Sequence, residues 1–322
     1  MGVSKKIIYL TGASGFIGNA VQDTAKDNYT IIAIPRPSLL HDPIDINFER
    51  GSTVIHLAAR VHVMRETAPD PLSEFRAANT DITLRLAKAA IKSEVAKFIF
   101  LSSVSVTGYS KGTFPEHGGH PHVPATHYGI SKYEAERGLE ELFKGVRDTT
   151  CTVIRFPMVY GPNNKGNPLL LLKMAARGIP LPLGGANGKR SMMYVKNVAD
   201  ALLRIVEDAK VGRPPYSAYF VSDNHDITAN EFYSIITKYY CGNKRVFYFP
   251  RIILDCMAAI AGFLENTVGI RTGLSQETIS KLFDELRFPS AAFIADYGWQ
   301  PKYSPEEGIK DTVEWHRHFR FK

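Results

Sequence analysis

The amino-acid sequence predicts an α/β chain in which a doubly wound parallel sheet carries a smaller, mostly helical lobe. Three observations point there. Apolar runs rich in β-branched and aromatic residues alternate with amphipathic stretches through the first half, the runs read apolar throughout instead of at every second position, and the first of them ends in glycines spaced three apart. A strand that is apolar on both sides is buried on both sides, and the alternating helices supply the cover.

Taken in order, the strands are "KIIYL", "TIIAI", "STVIHLAA", "KFIFLSS" and "CTVIRFP", and helices are expected over 16–27, 72–92 and 128–144. After Pro157 the texture changes. Residues 161–189 are dense in glycine and proline, which suits loops and one helix reaching over a cleft. A strand–helix pair follows over 190–209, a further strand over 218–223, and the remainder reads as helix. No internal repeat or low-complexity linker separates two domains. The expected division is therefore a main domain of residues 1–165, to which 190–223 returns, and a second lobe built from 166–189 and 224–322.

The 322 residues are 44% hydrophobic, enough for a full core. Cys151, Cys241 and Cys256 form no C-x-x-C pair and no even-numbered framework, so neither a disulfide scaffold nor a structural zinc is expected, and a reducing, cytoplasmic setting fits best. The opening "MGVSKKIIYLTG" is too short in apolar residues for a signal-peptide core, and no apolar stretch reaches the roughly 20 residues of a membrane span. A net charge of +7 suggests anionic partners. Without a long basic run or a stripe of interleaved aromatics, nucleic acid is not expected among them.

Gly12, Gly15 and Gly18 in "TGASGFIG" follow a strand and open a helix whose first residues include Phe16 and Ile17. Lacking side chains, such a turn is tight, lets a pyrophosphate approach the helix N-terminus, and allows close helix–strand packing. This context favours a Rossmann-type dinucleotide site over an ordinary strand–helix turn.

"YGISK" places Tyr128 and Lys132 four residues apart on one helix face. A phenol with a pKa of about 10 is a poor base at neutral pH, and a neighbouring ammonium is expected to lower that value. The same spacing recurs at Tyr240 and Lys244, away from the nucleotide half, where it reads as chance. What distinguishes Tyr128 is "FLSSVSVTG" at the carboxyl end of a strand, the edge where doubly wound sheets bind ligands. Ser102 and Ser105 there read as an ordinary serine-rich strand end.

Together "TGASGFIG", "HLAAR", "FRAANTDITLRLAKAA", "YGISK", "RFPMVYGP" and "KRSMMYVKNVADAL" resemble the extended short-chain dehydrogenase/reductase family, in its sugar-nucleotide epimerase, dehydratase and reductase branch. The resemblance covers essentially the whole chain. It implies Ser103, Tyr128 and Lys132 as the catalytic set, with Ser103 holding the sugar hydroxyl that Tyr128 protonates or deprotonates. It implies Ala58 and Asn79 along the cofactor channel, Asp45 and Ile46 beside the adenine, and Pro157 against the nicotinamide. Arg190, and beside it Asn167, would hold the substrate diphosphate; an arginine fork suits phosphate oxygens on physical grounds as well. A UDP-sugar substrate and a homodimer joined through helices 72–92 and 128–144 are implied likewise.

The second strand ends without the acid that usually holds the ribose hydroxyls of NAD and instead offers Arg36, which favours NADP(H) over NAD(H). A reductase that exchanges cofactor at each turnover has use for NADPH. "HLAARVHVM" and "RGIPLPLG" also resemble a bacterial polysaccharide subgroup that includes reductases of UDP-4-keto-6-deoxy-sugars, so that reduction is ranked ahead of UDP-sugar 4-epimerisation with retained NAD, and both stay open. A third reading, 4-epimerisation of undecaprenyl diphosphate-linked N-acetylglucosamine, is implied by a resemblance of the C-terminal third to epimerases acting on that sugar, and 251–270 suits either the core of the second lobe or a helix lying on the inner membrane face. A non-catalytic nucleotide sensor is the remaining alternative. His117, His120, His122 and His127 cluster without a carboxylate or cysteine at ligand spacing, so no metal is expected.

Overall fold

The computed structural model describes residues 5–61, 68–114, 123–164, 166–243, 245–268 and 276–320. The first half runs β1 (Lys6–Thr11), α1 (Phe16–Ala25), β2 (Tyr29–Ile34), β3 (Thr53–His56), α2 (Pro71–Phe75), α3 (Ile82–Lys92), β4 (Lys97–Ser103), a short β5 (Gly112–Thr113), α4 (His127–Leu142) and β6 (Thr150–Phe156). The second half continues with β7 (Met158–Tyr160), α5 (Asn167–Ala176), β8 (Lys189–Arg190), β9 (Met192–Tyr194), α6 (Val195–Glu207), β10 (Tyr216–Phe220) and β11 (Ile227–Thr228). It closes with α7 (Ala229–Cys241), α8 (Arg251–Val268), α9 (Gln276–Phe283), β12 (Leu286–Arg287), α10 (Ala291–Tyr297) and α11 (Pro305–Arg320).

Six parallel strands form a Rossmann-type sheet in the order β10-β6-β4-β3-β1-β2. Alternate residues serve opposite faces, as a period of two requires. Ile8, Leu10, Ile55, Ile99 and Ile154 meet α1 and α6 on one side, while Tyr9, Val54, Phe98, Phe100 and Val153 meet α3 and α4 on the other. From β1 the chain steps outward to β2, then crosses back so that β3 lies on β1's other side. The order reverses there, which opens a crevice at the carboxyl ends of β1 and β3.

The helix expected over 72–92 is instead α2 and α3 joined by a π-helical turn at Arg76–Asp81. The wider turn buries Asn79 and Thr80, whose side chains bond Ser131 on α4. The strand of the 190–209 pair is also placed differently from a sheet strand: β9 pairs with β7 in a small separate ribbon. The last strand of the main sheet begins earlier than expected, at Tyr216, because it pairs from Cys151 onward.

A second core forms where Tyr160, Tyr194, Phe232, Ile236, Ile309 and Val313 of β7, β9, α7 and α11 meet. Helix α8 packs Leu254 and Ala258 on Ile279 of α9, yet leaves Ile252 and Ile260 72% and 61% exposed. Among the described residues, burial thus accounts for one side of that helix. Among the described residues no helix is long and apolar enough to cross a membrane.

Candidate active site

The glycine loop joins β1 to α1 at the reversal point. Gly15 caps the helix without a side-chain hydrogen bond, and no acid stands in the first turn. The first N–H groups and the positive end of the helix are thereby left for an anion from outside the chain. The loop is drawn tight: a Cβ on Gly18 would lie 2.2 Å from the Gly12 carbonyl oxygen. Opposite, Thr11 Oγ1 accepts the N–H groups of Leu57 and Ala58, each at 3.1 Å, and so fixes Ala58 beside Gly12. Phe16 and Ile17 are half-buried and turn back onto the second core. These features fit a dinucleotide pyrophosphate.

Tyr128 is the second residue of α4, which Thr126 caps through Gly129 N at 3.0 Å. A Cβ at Gly129 would meet the Ser105 carbonyl oxygen at 2.8 Å, so the glycine allows this helix start to press on the turn that follows β4. The approach brings Tyr128 to Ser103, the last residue of β4. Burial pushes the Tyr128 phenol up to about 12, against a hydrogen bond from Ser103 that lowers it. Lys132 is 1% exposed, donates to the Leu101 carbonyl at 2.8 Å and lies over the Phe100 ring. Burial brings its ammonium down to about 7, while the Glu136 carboxylate raises it. The expected fall of the Tyr128 pKa is therefore corrected: the phenol stands above its ordinary value, because burial outweighs what would lower it. Desolvation acts on both groups and dominates both.

The other sequence-derived residues are distributed as follows. Arg36 is exposed immediately beyond β2 and starts a short 3-10 turn. Asp45 is exposed and Ile46 half-buried in the loop before β3. Asn79 is buried, and its amide spans Ser131 Oγ and the Arg60 carbonyl, each at 3.0 Å, while its oxygen accepts Arg60 N–H at 2.7 Å. It ties the segment after β3 to α4. Pro157 is buried just past β6, whose Phe156 is the register partner of Ser103. Arg190 is half-buried in a second small sheet and donates to the Asp284 carbonyl at 3.1 Å. Asn167 opens α5, but its side chain lies outside the described residues, as do His117, His120, His122 and Lys244. Tyr240 bonds His316 on α11, far along the chain from the sheet edge.

Two polar groups escaped the sequence reading. His56 is fully buried between Thr11 Oγ1 at 2.7 Å and Thr83 Oγ1 at 3.0 Å, and burial, with Lys132 adding to it, holds the imidazole down to about 3. Glu136, also buried, accepts from Ser102 and is forked by Arg155 at 2.6 Å. Ser102 is thus more than an ordinary strand end. The signal for Glu136 was present, since it follows Lys132 by four residues as Lys132 follows Tyr128.

The sequence model of the NAD dependent epimerase/dehydratase family matches residues 8–219. A UDP-glucose 4-epimerase of Vibrio cholerae is 32% identical over 96% of this chain and 95% of its own. The N-acetyl-alpha-D-glucosaminyl-diphospho-ditrans,octacis-undecaprenol 4-epimerase of Escherichia coli O157:H7 is 27% identical over 90% and 91%. The solved structure of UDP-glucose 4-epimerase from Thermotoga maritima with UDP-glucose shares the fold, with a TM-score of 0.70 at 22% identity over 98% of this chain and 99% of that one.

Proposed function

The chain belongs to the NAD dependent epimerase/dehydratase family, and from that premise we propose that it is a 4-epimerase acting on a UDP-linked hexose or N-acetylhexosamine. The observation that carries the proposal is the meeting of Tyr128 and Ser103 at the carboxyl edge of the sheet, the same edge that carries the glycine loop. Gly12, Gly15 and Gly18 would seat the pyrophosphate of the cofactor; Ala58, Asp45, Ile46 and Pro157 would line its path. A nicotinamide held there would supply reversible hydride exchange with sugar C4.

Tyr128 moves the proton. A phenol held at about 12 is an effective acid toward a ketone oxygen only while a donor partner steadies it, and Ser103 supplies that hydrogen bond. For the reverse transfer the phenolate needs a cation, which Lys132 provides from the next turn of α4. Asn79 holds the segment after β3 in register with that helix. Arg190, with Asn167, would grip the UDP diphosphate, and the second lobe of 166–189 and 224–322 would close over the sugar.

A second reading is net reduction of a UDP-4-keto-6-deoxy-sugar. Exposed Arg36 at the end of an acid-free β2 favours it, because that position suits a 2′-phosphate and hence NADPH. The sequence alone ranked this reading first. The nearly full-length likeness to the Vibrio cholerae epimerase now ranks epimerisation ahead.

The test begins with the nucleotide released from the denatured protein. Incubation with UDP-glucose and with UDP-N-acetylglucosamine, read by separation of the C4 epimers, is expected to give interconversion without added cofactor. Stoichiometric loss of nicotinamide absorbance with NADPH and a UDP-4-keto-6-deoxy-sugar, without epimerisation, would replace the proposal by the second reading. Turnover confined to a polyprenyl diphosphate-linked sugar would move the substrate to the membrane, where the exposed Ile252 and Ile260 face of α8 would have a place.

A further inference from the structure

We propose that Glu136 is a positioning residue for this reaction, a buried counter-charge that keeps Lys132 protonated one helical turn from Tyr128. The inference rests on the function proposed above. Tyr128, Lys132 and Glu136 follow at intervals of four along the α4 face that meets β4 and β6. Lys132 and Glu136 are each 1% exposed. Lys132 donates to Leu101 of β4, whereas Glu136 takes a hydrogen bond from Ser102 of β4 and a two-nitrogen fork from Arg155 of β6. Ser102 and Arg155 are direct partners in the parallel register, so one rung of the sheet holds the carboxylate from two strands.

The charges around Lys132 single out this carboxylate. From β3, His56 carries no charge at neutral pH, since burial holds it at about 3. From α4, Tyr128 is a phenol and Glu140 acts on Arg155. From β6 and β10, Cys151 and Tyr216 are neutral, with burial raising both. The carboxylate that raises the proton affinity of Lys132 is Glu136, four residues on along the same helix face and fixed in place there by the Arg155 fork. A buried ion pair is a costly way to join a helix to a sheet, and apolar residues commonly do as well. Placing one beside a lysine that must stay charged gives it a use.

Glu136→Gln keeps the shape of the side chain and removes the charge. In protein labelled with 13C at lysine Cε, with the Lys132 signal identified by its loss in Lys132→Arg, the Lys132 midpoint is expected to fall by about one pH unit or more, a tenfold loss of proton affinity. The turnover number is expected to fall with KM unchanged. Because Glu136→Gln leaves Arg155 buried without its partner, the Glu136→Gln/Arg155→Gln double variant is measured as well and is expected to lower the midpoint too. A midpoint within half a unit of the original in whichever variant folds overturns the inference. The titration needs no sugar, so a wild-type protein inactive on every UDP-hexose would remove the proposed function while the spectra still decide the role of Glu136.

Discussion

The Nζ of Lys132 lies 4.3 Å from the centre of the Phe100 ring, and its hydrogen bond goes to the Leu101 carbonyl, not to a carboxylate. An ammonium is thus held in a dry place by a ring face and one carbonyl oxygen. Its folded-state value of about 7 lies below the 10.5 of a free lysine, so the folded chain binds this proton less tightly than the unfolded chain. The stability cost is full below pH 7 and fades as pH rises toward 10.5. Lys132→Met is expected to raise stability at pH 6 by about 1–3 kcal/mol while lowering turnover at least about 100-fold. Urea unfolding at pH 6 and at pH 10 checks this, since the gain should shrink at the higher pH.

Tyr128→Phe removes the hydroxyl and little else. Turnover is expected to fall by about 10²–10⁴-fold, the range for loss of a general acid–base. Nucleotide binding, measured by calorimetry, should stay within about threefold of the original, because the phenol does not hold the pyrophosphate.

Gly18→Ala tests the loop. The added methyl would sit 2.2 Å from the Gly12 carbonyl oxygen and 2.6 Å from that of Ala13, both backbone atoms of the same tight turn. Dinucleotide affinity is expected to drop by at least about tenfold, with about 1–3 kcal/mol lost in urea unfolding from overpacking.

Arg36→Ala bears on cofactor choice. If the exposed guanidinium meets a 2′-phosphate, the variant loses affinity for NADP(H) by about tenfold and keeps its affinity for NAD(H). Equal losses for both nucleotides would count against that role.

His56 gives the chain an acid-sensitive centre. The folded protein holds the imidazole neutral down to about pH 3, whereas the unfolded chain protonates it near 6.5. The unfolded state therefore binds the extra proton between those values, and stability is lost as pH falls from 6.5 toward 3. Buried Asp223, raised to about 7 by desolvation, contributes a slope of opposite sign in part of this window. The difference between wild type and His56→Asn isolates the histidine: the variant should lose less stability on acidification, by up to about 1.4 kcal/mol per pH unit.

Much of this was legible in the chain itself. The inner strands of the parallel sheet, β1, β3, β4 and β6, were readable as apolar runs because a strand buried on both faces has no polar alternation to obscure it. The glycine loop was readable because three positions without side chains, after a strand and before a helix, have few other physical reasons to occur. Tyr128 and Lys132 were readable because helical spacing puts them on one face and "FLSSVSVTG" marks the strand end they accompany.

The remainder depended on contacts between residues far apart in sequence. Nothing local marks Arg155 as the partner of Glu136, or Thr11 and Thr83 as the clasp on His56; strand register and helix docking bring them together. The charge states follow the same division. Spacing suggested that a lysine would lower the tyrosine's proton affinity, and burial reversed that result, because desolvation depends on what the whole fold places around a group. The sequence alone determined which groups stand at the sheet edge, and the tertiary structure decided how dry they are and which charges they feel.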